Sequence, residues 1–195
     1  PYLLVMALMV VTVARDWPYW VTLALAVPAT AFQIRIFIFF HDCCHGSYFA
    51  SKRANTILGY LTGVITLTPF EAWRHSHNVH HATSGDLDRR GTGDVWTLTV
   101  DEYLAASRWK RLGYRLVRIP FFLLIVVPVW FLIAYRIPGK HGARSVWITN
   151  LALAGIVTAF ALTVGWQTYL AVQLPVALIA WSVGIWLFYV QHQYE

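Results

Sequence analysis

The chain has 195 residues, of which 58% are hydrophobic and only 12% are charged, and its formal net charge at pH 7 is +6. Soluble globular domains carry roughly 25% charged residues, so the composition excludes an ordinary soluble domain. The basic residues lie in loops between apolar segments, as orientation signals of membrane proteins do, and therefore do not indicate nucleic-acid binding. The two adjacent cysteines, Cys43 and Cys44, exclude a disulfide framework and suit a reducing compartment. The sequence predicts an all-α integral membrane helical bundle.

The first half of the chain predicts one full membrane span and one segment that is too short to cross. Residues 2–14 are typical of the end of a spanning helix, and residues 19–40 predict a full span, which leads into the motif HDCCHGSYF. The next apolar segment, 56–70, has only 15 residues and contains two glycines and a proline. It predicts a re-entrant or interfacial segment.

The second half begins with a basic segment and ends with two spans. Residues 103–118 carry arginines at spacings of three and four, which predicts a helix lying on the lipid headgroups. Residues 119–135 are apolar but are interrupted by prolines. A basic loop, 136–144, then precedes predicted spans at 146–164 and 169–190.

The distribution of basic residues decides between two topologies. If 119–135 dips into the membrane and returns, every Lys and Arg except Arg15 and Arg35 can face the cytoplasm, as the positive-inside rule favours. This choice gives about four spans and a histidine-rich cap on the cytoplasmic face. It predicts that six histidines meet at that face: His41, His45, His77, His80, His81 and His192.

The histidine spacings indicate a metal site rather than scattered core residues. His41 and His45 are four residues apart, and the run from His77 to His81 has the spacing H-x-x-H-H, so each group can share one helix face. Imidazole suits iron, zinc, copper and nickel, and five or six ligands exceed the needs of one tetrahedral zinc. The pattern favours a dinuclear, all-histidine centre. His75 is expected either to support the metal ligands or to lie on the surface, and His141 is expected to be solvated.

The motifs HDCCHGSYF and WRHSHNVHH, with spans on either side, resemble the histidine boxes of membrane fatty acid desaturases, and the bacterial acyl-lipid type is the most similar. The segment FYVQHQYE resembles the one that precedes the final box of that group. Two departures are visible. Cys44 stands where the family often has glycine, and a third H-x-x-H-H box is expected beyond His192. We therefore expect one domain over 1–195 that is truncated at both ends.

The resemblance implies a function and a set of partners. It implies desaturation of a fatty acyl chain, favoured as lipid-linked, by two non-haem irons with O₂ as co-substrate. His41, His45, His77, His80 and His81 match the first two boxes, and His192 matches an additional ligand. A separate electron donor of the ferredoxin or cytochrome b5 type is implied, as is the bacterial inner membrane with the site on its cytoplasmic face.

Ligating imidazoles normally donate their second N–H to a carboxylate or carbonyl group. The candidates near the boxes are Asp42, Asn78, Asp86, Asp88 and Asp94, although the acidic loop from Asp86 to Asp94 is equally consistent with simple solvation. Arg35 lies within a predicted span, where it either extends its side chain to the interface or binds near the site. Trp73 and Trp96 are candidates for an acyl tunnel or for interfacial anchors.

Three other functions remain open from the residues alone. A hydroxylase or ketolase on the same scaffold is the nearest, because both reactions begin with hydrogen abstraction. A haem-carrying electron-transfer protein would need histidines at membrane depth, and a metal transporter would need ionisable residues along its spans. Both of these agree less well with the sequence.

Overall fold

The structure is a computed structural model that describes residues 1–191. All of its regular structure within those residues is helical, as the sequence predicts. The α-helices are α1 (Tyr2–Ala14), α2 (Tyr19–His45), α3 (Lys52–Ile65), α4 (Phe70–Thr83), α5 (Val100–Ala105), α6 (Arg108–Leu116), α7 (Val127–Ala134), α8 (Ala143–Thr163) and α9 (Trp166–Gln191), and a π-helical turn, Phe122–Val126, precedes α7.

Three of these helices, α2, α8 and α9, are long and apolar enough to cross a membrane. At 1.5 Å per residue, even α8 with its 21 residues measures about 32 Å, close to the thickness of a hydrocarbon core. The fourth helix of the predicted count, α1, has 13 residues and packs against α2 and α9. Met9, Ala26 and Val176 form the centre of that contact.

The end of α2 is fixed by a glycine. Gly46 follows the helix in the left-handed conformation, with φ of 69°, and its N–H bonds to the carbonyl oxygen of Cys43. Glycine adopts this conformation without steric cost and is therefore the usual residue after a helix. The stop places His41 and His45 in the final turns of the spanning helix.

Helix α3 covers most of the apolar segment 56–70, for which the sequence predicts a re-entrant or interfacial position, and α4 begins at its last residue. Each has 14 residues, about 21 Å, so neither crosses the membrane. The chain reverses between them at Leu67, which has φ of 59°, and the Thr68 N–H bonds back to the Gly63 carbonyl oxygen at 2.7 Å. Helix α4 thus returns along α3 and delivers its histidines to the end of α2.

The apolar segment from the π-helical turn through α7 packs against α9. The Leu124 carbonyl accepts a hydrogen bond from the Ser182 hydroxyl, and the Tyr135 ring packs on Trp181, with centroids 5.8 Å apart. Eleven residues therefore separate two points that meet neighbouring positions of α9. These contacts show that the segment packs on α9, and the dip of residues 119–135 into the membrane stays a prediction.

The loop after α7 returns to the side of the molecule that carries α4. The Ala72 N–H donates to the Ser145 hydroxyl at 3.1 Å, and the ring of His141 stacks on that of His75 at 4.0 Å. Arg136, at the start of this loop, is partly buried and donates to the Leu67 carbonyl at 2.6 Å. The loop 136–144 and the start of α8 therefore pack against the first half of α4 and the turn at Leu67.

The predicted helix over 103–118 is wrong in its extent. Two short helices, α5 and α6, replace it, because Ala106 is extended, with ψ of 150°. Ser107 then caps α6 by accepting a hydrogen bond from the Lys110 N–H. The serine that the sequence places within the helix is in fact its N-terminal boundary.

Candidate metal centre

Four imidazoles from α2 and α4 converge at one end of the bundle. His41 and His45, one turn apart, have ring centroids 4.6 Å apart, and the His77 ring lies 4.9 Å from His41 and 5.0 Å from His45. His81 completes the group, and one nitrogen from each of the four lies within 4.8 Å of the others. We call these residues the four-histidine group.

The nitrogen spacings fit coordination of a metal ion. The Nε2 atom of His77 lies 3.1 Å from that of His45 and 3.0 Å from that of His81. With metal–nitrogen bonds of about 2.1 Å, adjacent ligands are about 3.0 Å apart in an octahedron and about 3.4 Å apart in a tetrahedron. The donor set is entirely imidazole, which suits a transition metal such as iron and not calcium or magnesium.

His80 belongs to the same helix turn but lies outside this group. Its ring is 6.3 Å from His77 and 5.7 Å from His81, and its Nδ1 atom is 2.5 Å from the Asp94 carboxylate. The second Asp94 oxygen accepts a hydrogen bond from the Gly91 N–H at 2.7 Å, which fixes the carboxylate on the loop after α4. An imidazole whose Nδ1–H is bonded to a carboxylate binds a metal through Nε2.

Trp73 packs against the four-histidine group on the side that faces the interior of the bundle. Its ring stacks on His77 with centroids 4.1 Å apart and an interplanar angle of 23°, and its edge meets Phe37 and Phe40. Phe40 and Phe70 are fully buried beneath it. The tryptophan that the sequence offered as a tunnel wall or an anchor therefore packs against a histidine of the group. The spacing of four residues could have revealed the contact with His77. The packing of Trp73 on Phe37 and Phe40 joins two helices and was not evident from the sequence.

Burial and neighbouring imidazoles keep the centre of the group uncharged. Burial, followed by the proximity of His41 and His81, lowers the pKa of His77 to about 3 from its ordinary value of 6.5. The ring is therefore neutral at physiological pH. A neutral imidazole is the form that binds a metal, so no proton has to be displaced from His77.

Of the other residues predicted to support the metal ligands, only Asp42 contacts a histidine of the four-histidine group in the described structure. Asp42 contacts the His41 Nδ1 atom at 3.2 Å, at the exposed edge of the site. Asp86 instead binds Arg89, at 2.6 Å, and the backbone of its own loop. Asn78 and Asp88 are exposed, and Arg35 is exposed on α2 with its guanidinium over the Phe39 ring. The predicted ligand His192 lies outside the described residues.

Comparison with known proteins gives a consistent result. The family model "Fatty acid desaturase" matches residues 16–195. A Bacillus subtilis protein named fatty acid desaturase is 55% identical over 186 residues, which cover 92% of this chain and 53% of that protein. A Synechocystis protein named sn-1 acyl-lipid omega-3 desaturase (ferredoxin) is 33% identical over 56% of this chain and 28% of its own length.

A more distant relative comes from Arabidopsis thaliana. It is named acyl-lipid omega-3 desaturase (cytochrome b5), endoplasmic reticulum, and is 30% identical over 66% of this chain and 30% of its own length. The chain thus spans about half the length, or less, of these curated relatives. No solved structure matches it.

Proposed function

The chain belongs to the fatty acid desaturase family, and we propose that it inserts a double bond into a fatty acyl chain by O₂-dependent, non-haem di-iron chemistry. The observation that carries the proposal is the four-histidine group, whose nitrogens lie within 4.8 Å of one another. The matching family model and the names of the relatives support the choice of reaction.

The proposal assigns one iron to His41, His45, His77 and His81. His80 lies outside that group and has its own carboxylate partner, which supports its assignment to a second iron. His192 is proposed as a further ligand from the sequence alone. Bound iron would supply the oxidant: O₂, two electrons and two protons take two hydrogens from adjacent methylenes, giving a double bond and two waters.

The protein's own residues orient the ligands and exclude water. The Asp94 carboxylate accepts a hydrogen bond from the Nδ1–H group of His80, and Asp42 is placed to accept one from His41 Nδ1. Trp73 and the buried phenylalanines beneath it restrict the His77 ring and close the interior side of the group. This arrangement leaves the ligand nitrogens directed at one another before any metal binds.

We further propose a lipid-linked acyl substrate and a separate electron donor. The Synechocystis and Arabidopsis relatives are named acyl-lipid desaturases, one with ferredoxin and the other with cytochrome b5. The basic loop 136–144 packs against the histidine-bearing helix α4, with His141 stacked on His75, which supports a cytoplasmic location of the site in a bacterial inner membrane. Such a location makes the site accessible to soluble reduced donors.

Mass analysis of the acyl product tests the proposed reaction. The full-length protein, reconstituted with phospholipid, a reducing system and O₂, is expected to yield acyl chains that have lost two hydrogens. The His77→Gln variant should yield none, because it removes the central ligand. A product that has gained one oxygen would contradict desaturation and identify a hydroxylase on the same scaffold.

A further inference from the structure

A second pocket lies away from the histidines, beside the surface helix α6. It is open to the surface, its volume is about 580 Å³, and it is lined by α5 with the two residues before it, by the end of α6 and by the residues that follow α6. We call it the α6 pocket. Two arginines and two tyrosines form its polar part, and its apolar part includes Leu98, Val100, Ile119 and Pro120; the polar side chains are Tyr103, Tyr114, Arg115 and Arg118.

Arg118 is held firmly, but its charge is not neutralised. Its guanidinium carbon lies 3.6 Å from the centre of the Tyr114 ring, and its two terminal nitrogens donate to the carbonyl oxygens of Tyr114, at 3.2 Å, and Trp96, at 2.7 Å. All three partners are uncharged. Among residues 1–191, no carboxylate forms an ion pair with it. The result is a fixed positive charge at the wall of the pocket.

Arg115 adds a second cation to the same wall. Its Nε donates to the Tyr103 hydroxyl at 2.6 Å, and no ion pair joins it to a carboxylate in the described part of the chain. Glu102 is the acidic residue nearest to Arg115 in the sequence. Its carboxylate is already paired with Arg90 and accepts a hydrogen bond from the Thr99 N–H. Two guanidinium groups that line one pocket and have no carboxylate partner favour an anion with several acceptor oxygens, such as a phosphate group.

The apolar part of the pocket indicates what carries that phosphate. Val100 and Ile119 of the pocket are exposed, and Ile119 lies where the chain leaves α6 for the apolar segment that begins at Phe122. Outside the pocket, Trp109 and Leu112 are also exposed on α6. Basic side chains beside exposed apolar ones are typical of a helix at a lipid interface. An acidic protein surface would match the arginines but would leave Val100 and Ile119 against charged groups.

We propose that the α6 pocket binds an anionic phospholipid, with the phosphate on Arg115 and Arg118 and the glycerol and acyl carbons against the apolar wall. This site goes beyond the proposed reaction, because none of its lining residues belongs to the histidine centre. It gives the bundle a specific lipid contact at the level of the headgroups, where α6 lies.

Native mass spectrometry of the full-length protein tests the proposal. Delipidated protein in detergent receives phosphatidylglycerol, phosphatidylcholine or inorganic phosphate, and retained lipid is counted per polypeptide. Wild type is expected to retain phosphatidylglycerol in preference to phosphatidylcholine, and a large excess of inorganic phosphate should not displace it. The double variant Arg115→Gln/Arg118→Gln should bind phosphatidylglycerol about thirtyfold more weakly, as expected for two basic contacts to an anionic lipid.

The matched control is Arg108→Gln/Arg111→Gln, which removes the same charge from the same helix outside the pocket. This variant should retain phosphatidylglycerol as wild type does. Equal loss in both double variants would overturn the proposal, since net charge alone would then explain binding. Displacement by inorganic phosphate would also overturn it, as would weakened binding of an acidic electron donor with unchanged lipid retention.

The iron content of the same samples separates this inference from the proposed function. The pocket variant should keep the iron content of wild type, because Arg115 and Arg118 do not contact the histidines. Unchanged lipid binding in an iron-loaded pocket variant contradicts only the lipid site. Lipid binding that depends on the two arginines, in a wild-type protein that holds no iron, contradicts only the proposed function.

Discussion

At the scale of single residues, the site combines a short-range pattern with contacts made across the chain. His41 and His45 lie on one face of α2 because a helix repeats every 3.6 residues, and the same holds for His77 and His81 on α4. The spacing of the histidines does not show which group each imidazole ring contacts. His80 lies between His77 and His81 in the same H-x-x-H-H motif. It nevertheless bonds to Asp94 and lies outside the four-histidine group.

Replacing Asp94 with Asn is expected to lower iron affinity or turnover by about 10- to 100-fold, the usual effect of removing a carboxylate that supports a metal-bound histidine. The change keeps the size of the side chain but removes the charged acceptor of the His80 N–H. Iron per polypeptide and acyl product of the full-length protein are the measurements.

Asp86→Asn is the matched control, since Asp86 lies in the same loop but pairs with Arg89 and contacts no histidine in the described structure. It should keep the iron content and turnover of wild type. If both variants behaved alike, Asp94 would have no particular role at His80.

The sequence identified Asp94 as one of several loop acids but gave no way to choose among them. Asp86, Asp88 and Asp94 have similar local context, and only the path of the loop past His80 separates them. Arg136 shows the same limit. It resembled an orientation signal in a basic loop, whereas its side chain is partly buried and binds the Leu67 carbonyl.

At the scale of helices, the re-entrant pair α3–α4 determines where the second set of histidines lies. Gly59 makes the close packing possible: a Cβ atom there would lie 2.2–2.6 Å from the Phe70 ring. Phe70 is only 1% exposed and packs on Phe40 and Tyr60, so it has little room to move. The sequence predicted a short re-entrant segment from its length, but the glycine's partner lies on another helix.

Gly59→Ala is therefore expected to destabilise the bundle by about 1–3 kcal/mol, the usual cost of overpacking a core. The midpoint of thermal unfolding in detergent should fall. Gly155→Ala is the control, because a Cβ atom at Gly155 of α8 meets nothing within 4 Å. An unchanged midpoint for Gly59→Ala would contradict the close packing of α3 on α4.

At the scale of the whole molecule, composition and charge predicted most of the architecture. The three long helices lie close to the predicted spans, because a run of about 20 apolar residues has few alternatives in a membrane protein. The dip of residues 119–135 was inferred from the basic loop that follows it. It stays a prediction, because the contacts of Leu124 and Tyr135 with α9 show only that this segment packs on that helix. The division of α5 from α6 depended on one serine cap and was missed.

The predicted dip of residues 119–135 would leave the segments before and after it on the same side of the membrane, which cysteine labelling can measure. Single cysteines at Lys52 and Lys140 should react with an impermeant reagent from one side of sealed membrane vesicles, and a cysteine at Arg15 should react from the other. All three positions are exposed, and the native Cys43 and Cys44 are buried, which keeps background labelling low. Labelling of positions 52 and 140 from opposite sides would show that the segment crosses the membrane.

Iron content of the full-length protein in two variants of α4 tests the central claim most directly. His77 and His75 are two residues apart on one helix, but only His77 belongs to the four-histidine group, whereas His75 stacks on His141. Wild type and His75→Gln should each hold about two irons per polypeptide, and His77→Gln should lose at least half, because an ion deprived of its central ligand dissociates more readily. Full iron content in His77→Gln, or an equal loss in His75→Gln, would contradict the account.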